Sequence, residues 1–412
     1  MKYIVKCMRF GLLLAVTAMF FLASCNKAPE ILAGPGAITP PAGNTLGATI
    51  AAIPTDSLYY KIIVKSGLLT TLNTSANTFT LFVPDNNAVR AFITAITGGA
   101  VPSAAPDAVF AAFINSASFP AASAGGIVAY NMCPQALTTS SIPGAFPNFY
   151  YPTNLNPAPS LSALLRLDTY PSTRNGNWVN NIPLTAVNTA ATNGIIHTSA
   201  AVAVPPSRFL WDRINADPDM TYLKSAIQRA DSGVSTSSTS SLQWALSNIG
   251  PNLTVYAPTN AAFSGILTAL ITQGLIAQGL PPAVAAAQAA LLISTYGPNI
   301  FSVPALYGSI TAQTVKGIIV YHLMGYRAFT NNFPTTATSY PTALNSAIPT
   351  HPGVSIKCVF TGLLVTSATV KGVVNASASN IVINPTPDPG GTSDQHFING
   401  TLHKIDQVLL PQ

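Results

Sequence analysis

The sequence predicts an α+β protein in which one domain is written twice, and three observations carry that prediction. In the stretch NLTVYAPTNAAFSGIL, Leu253, Val255 and Ala257 alternate with Thr254 and Tyr256 as in a half-buried strand. Pro258 ends it, and Thr259 and Asn260 can cap a helix opening with Ala261, Ala262 and Phe263. The same order of signals stands in FTLFVPDNNAVRAF, with Pro84, Asp85 and Asn86 in the places of Pro258, Thr259 and Asn260. Helical spacing clusters around these two strands, whereas alternating runs at 353–360, 362–370 and 380–384 crowd toward the end of the second copy.

A chain of 412 residues with 48% hydrophobic content has enough material for two cores and is too apolar to be disordered. Charged residues make up only 7%, against roughly 25% in average domains. None occurs between Asp231 and Lys316, so hydroxyls, amides and glycine must supply most of the polar surface. Three of the cations behind the net charge of +6, Lys2, Lys6 and Arg9, precede an apolar run and leave with it. What remains is too weak and too scattered for nucleic acid.

From the N-terminus, Met1 to Arg9 is basic and Phe10 to Leu22 is apolar but shorter than the roughly 20 residues of a spanning helix. Residues 1–24 therefore read as a signal peptide. Leu22-Ala23-Ser24-Cys25 looks like a bacterial lipobox, which makes Cys25 the lipidated first residue of the mature chain. A plain signal peptide with a chance cysteine, or a core helix, is the competing reading. Lipid on Cys25 supplies about 0.8 kcal/mol of membrane attachment per buried methylene. Asn26, rather than Asp, after the cysteine favours the outer membrane over inner-membrane retention. Residues 25–52, rich in Pro, Gly, Ala and Thr, read as a tether. Cys133 and Cys358 fall in different copies; an oxidising compartment permits a disulfide between them, but nothing in the spacing calls for one. No CxxC pair marks a structural zinc site.

The two copies span 53–207 and 208–412. The first opens with a helix over 57–69, where Leu58, Ile62, Ile63 and Leu68 recur at helical spacing and Gly67 is a C-cap. A helical segment at 107–115 and the run GIVAYNM follow, and the latter is matched by GIIVYHL, which sets Tyr130 opposite Tyr321 and Asn131 opposite His322. Asn193-Gly194-Ile195-Ile196-His197 is then matched by Asn399-Gly400-Thr401-Leu402-His403, an offset that continues to Pro205 and Pro411. Asn-Gly between apolar runs signals a hairpin, so each copy closes with a strand returning to its sheet. The second copy carries an uncharged insertion, 266–293, that reads as two helices split at Gly279-Leu280-Pro281 rather than as a membrane span.

This ordered set, strand-Pro-Thr-Asn-helix, Tyr-His, then Asn-Gly-x-x-His before an apolar strand ending in Pro, resembles the fasciclin domain family twice over. APTNAAF, YH and NGTLHKIDQVLLP in the second copy lie closest to the family pattern. The first copy has PDN for PTN, Asn131 for the histidine, and Thr198-Ser199-Ala200 where the second has Lys404-Ile405-Asp406. The resemblance implies a wedge of two small β-sheets with helices packed along one side. It also gives Pro84, Asp85, Asn86, Tyr130, Asn193, Gly194 and His197, with Pro258, Thr259, Asn260, Tyr321, His322, Asn399, Gly400 and His403, structural or binding roles. The function it implies is adhesion in the cell envelope to an extracellular protein or polysaccharide.

Catalytic signatures do not support an enzyme. The chain lacks a G-x-S-x-G elbow, a phosphate loop and a G-x-G-x-x-G after a strand, and its 12 acidic residues are scattered. The best metal-like set is Asp388, Asp394, His396 and His403, the basis of an alternative reading as a small-ligand or metal-dependent hydrolytic protein. His403 has a counterpart in His197, which lacks such neighbours, so a structural histidine bonded to backbone is the preferred reading, and His322 reads the same way. No cofactor or metal is expected. Phe149, Tyr150 and Tyr151 can stack on sugars or pack within a loop.

Overall fold

The computed structural model describes residues 43–74 and 76–412, so the expected signal peptide, Cys25 and the tether as far as residue 42 lie outside the described residues. Ala42–Gln412 forms one compact unit. Within it each copy is centred on a parallel strand pair. Phe79–Pro84 runs beside Gly194–Ser199 in the register Phe79↔Gly194 to Pro84↔Ser199. Leu253–Pro258 runs beside Gly400–Ile405 in the register Leu253↔Gly400 to Pro258↔Ile405. Antiparallel neighbours flank both pairs: Met132–Cys133 and Ile182–Ala191 in the first copy, Leu323–Met324 and Gln395–Phe397 in the second. The strand order is therefore the same in both.

Phe79–Pro84 and Gly400–Ile405 are buried along their whole length, and their parallel partners nearly so, because both faces are covered. On one face Leu81 and Val83 meet helical Ile62, Val89, Ile93 and Ile127; on the other Phe82 meets Cys133, Leu137 and Val179. The second copy repeats the division. Val255 and Ala257 face Ile227, Phe263 and Ile319, whereas Tyr256 faces Tyr321, Ile356 and Ile405. In the first copy the sheet extends through Trp178–Val179 and Pro171–Ser172 to six strands. In the second a separate four-stranded sheet, Thr338–Tyr340, Val354–Thr361, Leu364–Lys371 and Ser379–Asn380, meets the central one at the bridge Ile381↔Ile405.

One expectation is corrected at the start of the first copy. Leu46–Ala51, read as the end of the tether, is a helix with Leu46 and Ile50 fully buried in the first core. The Pro- and Gly-rich surroundings hid an apolar pair at i and i+4, too short to register as a helix by periodicity. This helix occupies the place that Leu210–Ala216 takes in the second copy.

The insertion forms two helices, Asn260–Ala277 and Pro282–Tyr296, separated by a turn in which Gly279 has φ +96°. By length and composition the first can cross a membrane. Its Phe263, Leu267, Ile271 and Leu275 nevertheless form an i, i+4 stripe buried in the core of the second copy.

Cys133 and Cys358 are both free and buried. Burial pushes the Cys133 thiol up to about 12 and that of Cys358 to about 11. Peptide mapping after treatment with a thiol reagent is expected to find neither labelled in the native chain and both labelled in denaturant; labelling of either in the folded protein would contradict this packing.

Candidate functional site

The motif residues fall into eight matched pairs, and most of them fasten one element to another. Asp85 and Thr259 cap the helices that follow the first strands, accepting from Ala88 N at 2.8 Å and from Ala262 N at 3.3 Å. Asn86 Oδ1 accepts from Leu58 N at 2.9 Å while its amide donates to Pro54 O. Asn260 does the same with Tyr222 N, at 3.1 Å, and Pro218 O. Pro84 and Pro258 close the parallel ladders, where Ser199 and Ile405 lie opposite them.

The Asn-Gly pairs do more than turn a hairpin. Asn193 Oδ1 caps Leu46 N at 2.8 Å and its amide donates to Leu72 O. Asn399 Oδ1 caps Leu210 N at 3.0 Å and its amide donates to Ala245 O. The glycines that follow open the parallel strands. A Cβ at Gly194 would lie 2.0 Å from Phe79 O, and one at Gly400 would lie 2.3 Å from Leu253 O. Glycine is required there so that two backbones can approach.

Both Asn-Gly-x-x-His histidines are fully buried and bonded to backbone on both ring nitrogens. His197 Nε2 donates to Leu137 O at 2.7 Å and its Nδ1 accepts from Asn188 N; His403 Nε2 donates to Ala328 O at 2.9 Å and its Nδ1 accepts from Asp394 N. Their rings stack on Phe82 and Tyr256. Burial lowers the pKa of each, favouring the neutral ring.

The pair Asn131 and His322 is chemically unequal. His322 Nδ1 donates to Ile318 O at 2.8 Å and its Nε2 accepts from Leu409 N at 2.9 Å, tying a helix end to the closing segment. Asn131 ties the same two elements, but its amide donates to both Ile127 O and Ala203 O. Burial holds His322 down to about 4 against an ordinary value of 6.5. The unfolded chain thus takes up a proton below pH 6.5 while the folded chain resists until about 4. This contribution to stability is complete above the upper value and falls as pH drops across that window, by about 3 kcal/mol in all. Denaturant titrations of the native chain and of His322→Asn should show the acid slope reduced in the variant; equal slopes would refute the assignment.

Tyr321 Oη donates to Gly353 O at 2.6 Å within its own copy. Tyr130 Oη donates to Asp168 O at 3.2 Å in its own copy and also reaches the other, where His396 Nδ1 lies 3.2 Å from it. Beside that contact lies Arg327, which is 5% exposed; its hydrogen bonds stay within the second copy, and its guanidinium lies 5.2 Å from the Tyr170 ring of the first. Its guanidinium donates to Asn252 Oδ1 at 2.7 Å, Phe397 O at 2.8 Å, Ile398 O and His396 Nε2. Burial, with Arg327 adding to it, holds the pKa of His396 well below its ordinary range. Asn331 and Asn332 from the second copy bond Asn180 O and Ala145 O in the first, and Phe146 packs edge-on against Tyr326, Phe333 and Tyr340. The sequence reading missed Arg327, although a lone cation inside the apolar run LMGYRAF was a signal of a buried, bonded charge.

The metal-like set does not assemble. Asp388 is held by Arg208 at 2.8 Å and Arg213 at 3.0 Å, and Asp394 accepts from the amide and hydroxyl of Thr330. His396 faces a guanidinium, and both nitrogens of His403 bond to backbone. Among the described residues no group of three or more His, Cys, Asp or Glu can hold a metal ion. Phe149 and Tyr150 lie on the surface, 53% and 64% exposed.

Fold and site together define a duplicated α+β domain whose polar signature residues hold it together. Residues 56–205 match the model of the Fasciclin domain family, a family of adhesion and interaction modules, and this stretch belongs to it. The second copy repeats the same strand order and the same bonded motif residues, so the chain is a tandem of fasciclin domains. Among solved structures, a FAS1 domain pair from the insect cell adhesion molecule fasciclin I is similar at 13% identity, covering 85% of this chain and 95% of that one with a TM-score of 0.31. No curated protein matches the sequence.

Proposed function

We propose that this chain is a non-enzymatic adhesion protein of the cell envelope, anchored to the outer membrane by lipid on Cys25. It binds an extracellular matrix protein, a glycan or another surface protein through its two domains. The observation that carries this reading is the commitment of the motif histidines and asparagines of both copies to buried internal bonds, which leaves no free base or nucleophile among them. Recognition then falls to exposed hydroxyls, amides and rings, with Phe149 and Tyr150 the most prominent aromatic pair. A glycan and matrix-protein array probed with the fragment from Asn26 onward tests the partner. Phe149→Ala with Tyr150→Ala is expected to weaken capture about tenfold, equivalent to about 1.4 kcal/mol. Lipid labelling of the native chain but not of Cys25→Ala tests the anchor. Hydrolytic turnover by the purified chain, abolished by His403→Ala without loss of fold, would overturn the non-enzymatic reading.

A further inference from the structure

A cavity of about 360 Å³ opens where the two copies meet. Ile182, Pro183, Val204 and Pro206 wall it from the first copy and its exit, and Pro385 and Pro387 from the second. Its polar lining includes Asn181, Arg208 and Asp388, with His396 and Phe397 also reaching it. The volume lies in the range of small-ligand sites, roughly 300–1,000 Å³.

The site is built in advance of any ligand. Pro205 and Pro206 fix the backbone of the connecting segment. Arg208 is oriented by Asp388 at 2.8 Å and by Asp212 O at 2.9 Å, and Asp388 is oriented a second time by Arg213. Its charged groups are also already engaged. Arg208 and Asp388 pair at 34% and 16% side-chain exposure, Asp394 accepts two hydrogen bonds from Thr330, and both nitrogens of His396 are bonded. An ionic ligand finds no unengaged charge here. A neutral ligand finds a planar donor beside a planar acceptor, the arrangement that adjacent hydroxyls satisfy, together with flat C–H surfaces from the prolines.

We propose that the cavity between the two domains binds a neutral sugar residue, with Arg208, Asp388 and Asn181 on its hydroxyls and the proline walls on its C–H faces. This rests on the adhesion reading only in taking a glycan as the partner. Saturation-transfer NMR and calorimetry on the folded chain, with glucose, galactose and N-acetylglucosamine as probes, are expected to show at least one binding with Kd about 1 mM. Val204→Trp, which fills the cavity from an exposed wall position, should weaken that binding at least about tenfold. Ser237→Trp, on a distant exposed loop, should leave it unchanged, with melting curves confirming that both variants fold. Absence of binding by all three sugars, or undiminished binding by folded Val204→Trp, would overturn the proposal. Capture on the array is read in parallel: capture without sugar binding removes the cavity site alone, whereas sugar binding without capture removes the adhesion reading alone.

Discussion

Gly400→Ala is expected to unfold the second domain. The added methyl would lie 2.3 Å from Leu253 O and 2.6 Å from Leu210 Cδ1, so either the parallel pair opens or the helix at Leu210 is displaced. Both outcomes also strip Asn399 of its cap on Leu210 N. The loss is set at about 4 kcal/mol, in the range of severe backbone clashes, and should appear as a lowered denaturant midpoint. Gly265→Ala is the control. That glycine lies within a helix, and nothing stands within 4 Å of where its Cβ would be, so the change should stabilise by about 0.5–1 kcal/mol. If Gly400→Ala melts with the parent chain, the close approach of the two strands is wrong.

Arg327→Met is expected to destabilise the second domain along the edge that meets the first. The substitution keeps the apolar stem but leaves Asn252 Oδ1, Phe397 O and Ile398 O without their buried donor. Hydrogen bonds to charged groups contribute about 1.5–3 kcal/mol each, and their loss is not additive, so a total near 3 kcal/mol is set. Arg327→Lys should not restore it, because one ammonium cannot reach acceptors spread around a planar fork. The readout is the denaturant midpoint of the second domain, lowered in Arg327→Met and not recovered in Arg327→Lys. A parent midpoint in both variants would show that Arg327 does not hold these three acceptors.

How much of this was legible in the sequence depended on how local each interaction is. The strand-Pro-cap-helix units were readable because Asp85 and Thr259 act on amides three residues away. The hairpin before each closing strand was readable for the same reason. The glycine's second task was not, since Phe79 and Leu253 lie far from Gly194 and Gly400 in sequence. That Asn131 and His322 do one job could be read from their matched positions, but not that one donates and the other accepts to the closing segment. The contact between Tyr130 and His396, with Arg327 beside it, was illegible because it joins residues 266 positions apart, and it is not repeated: Ala136 and Ala190 stand where the internal offsets place Arg327 and His396. The metal-like set failed for a related reason. Closeness of Asp388, Asp394 and His396 in sequence said nothing of the arginines and the threonine already bonded to them.

The buried join between the domains has a consequence for valency. Two modules on a slack connector search for their contacts separately, and each loses its own orientational freedom on capture. Here Phe146, Asn331 and Asn332 have fixed that mutual orientation before any encounter. Under the proposed adhesion role, the pair would act as a ruler, engaging at both ends only those ligands whose repeat matches a spacing already set.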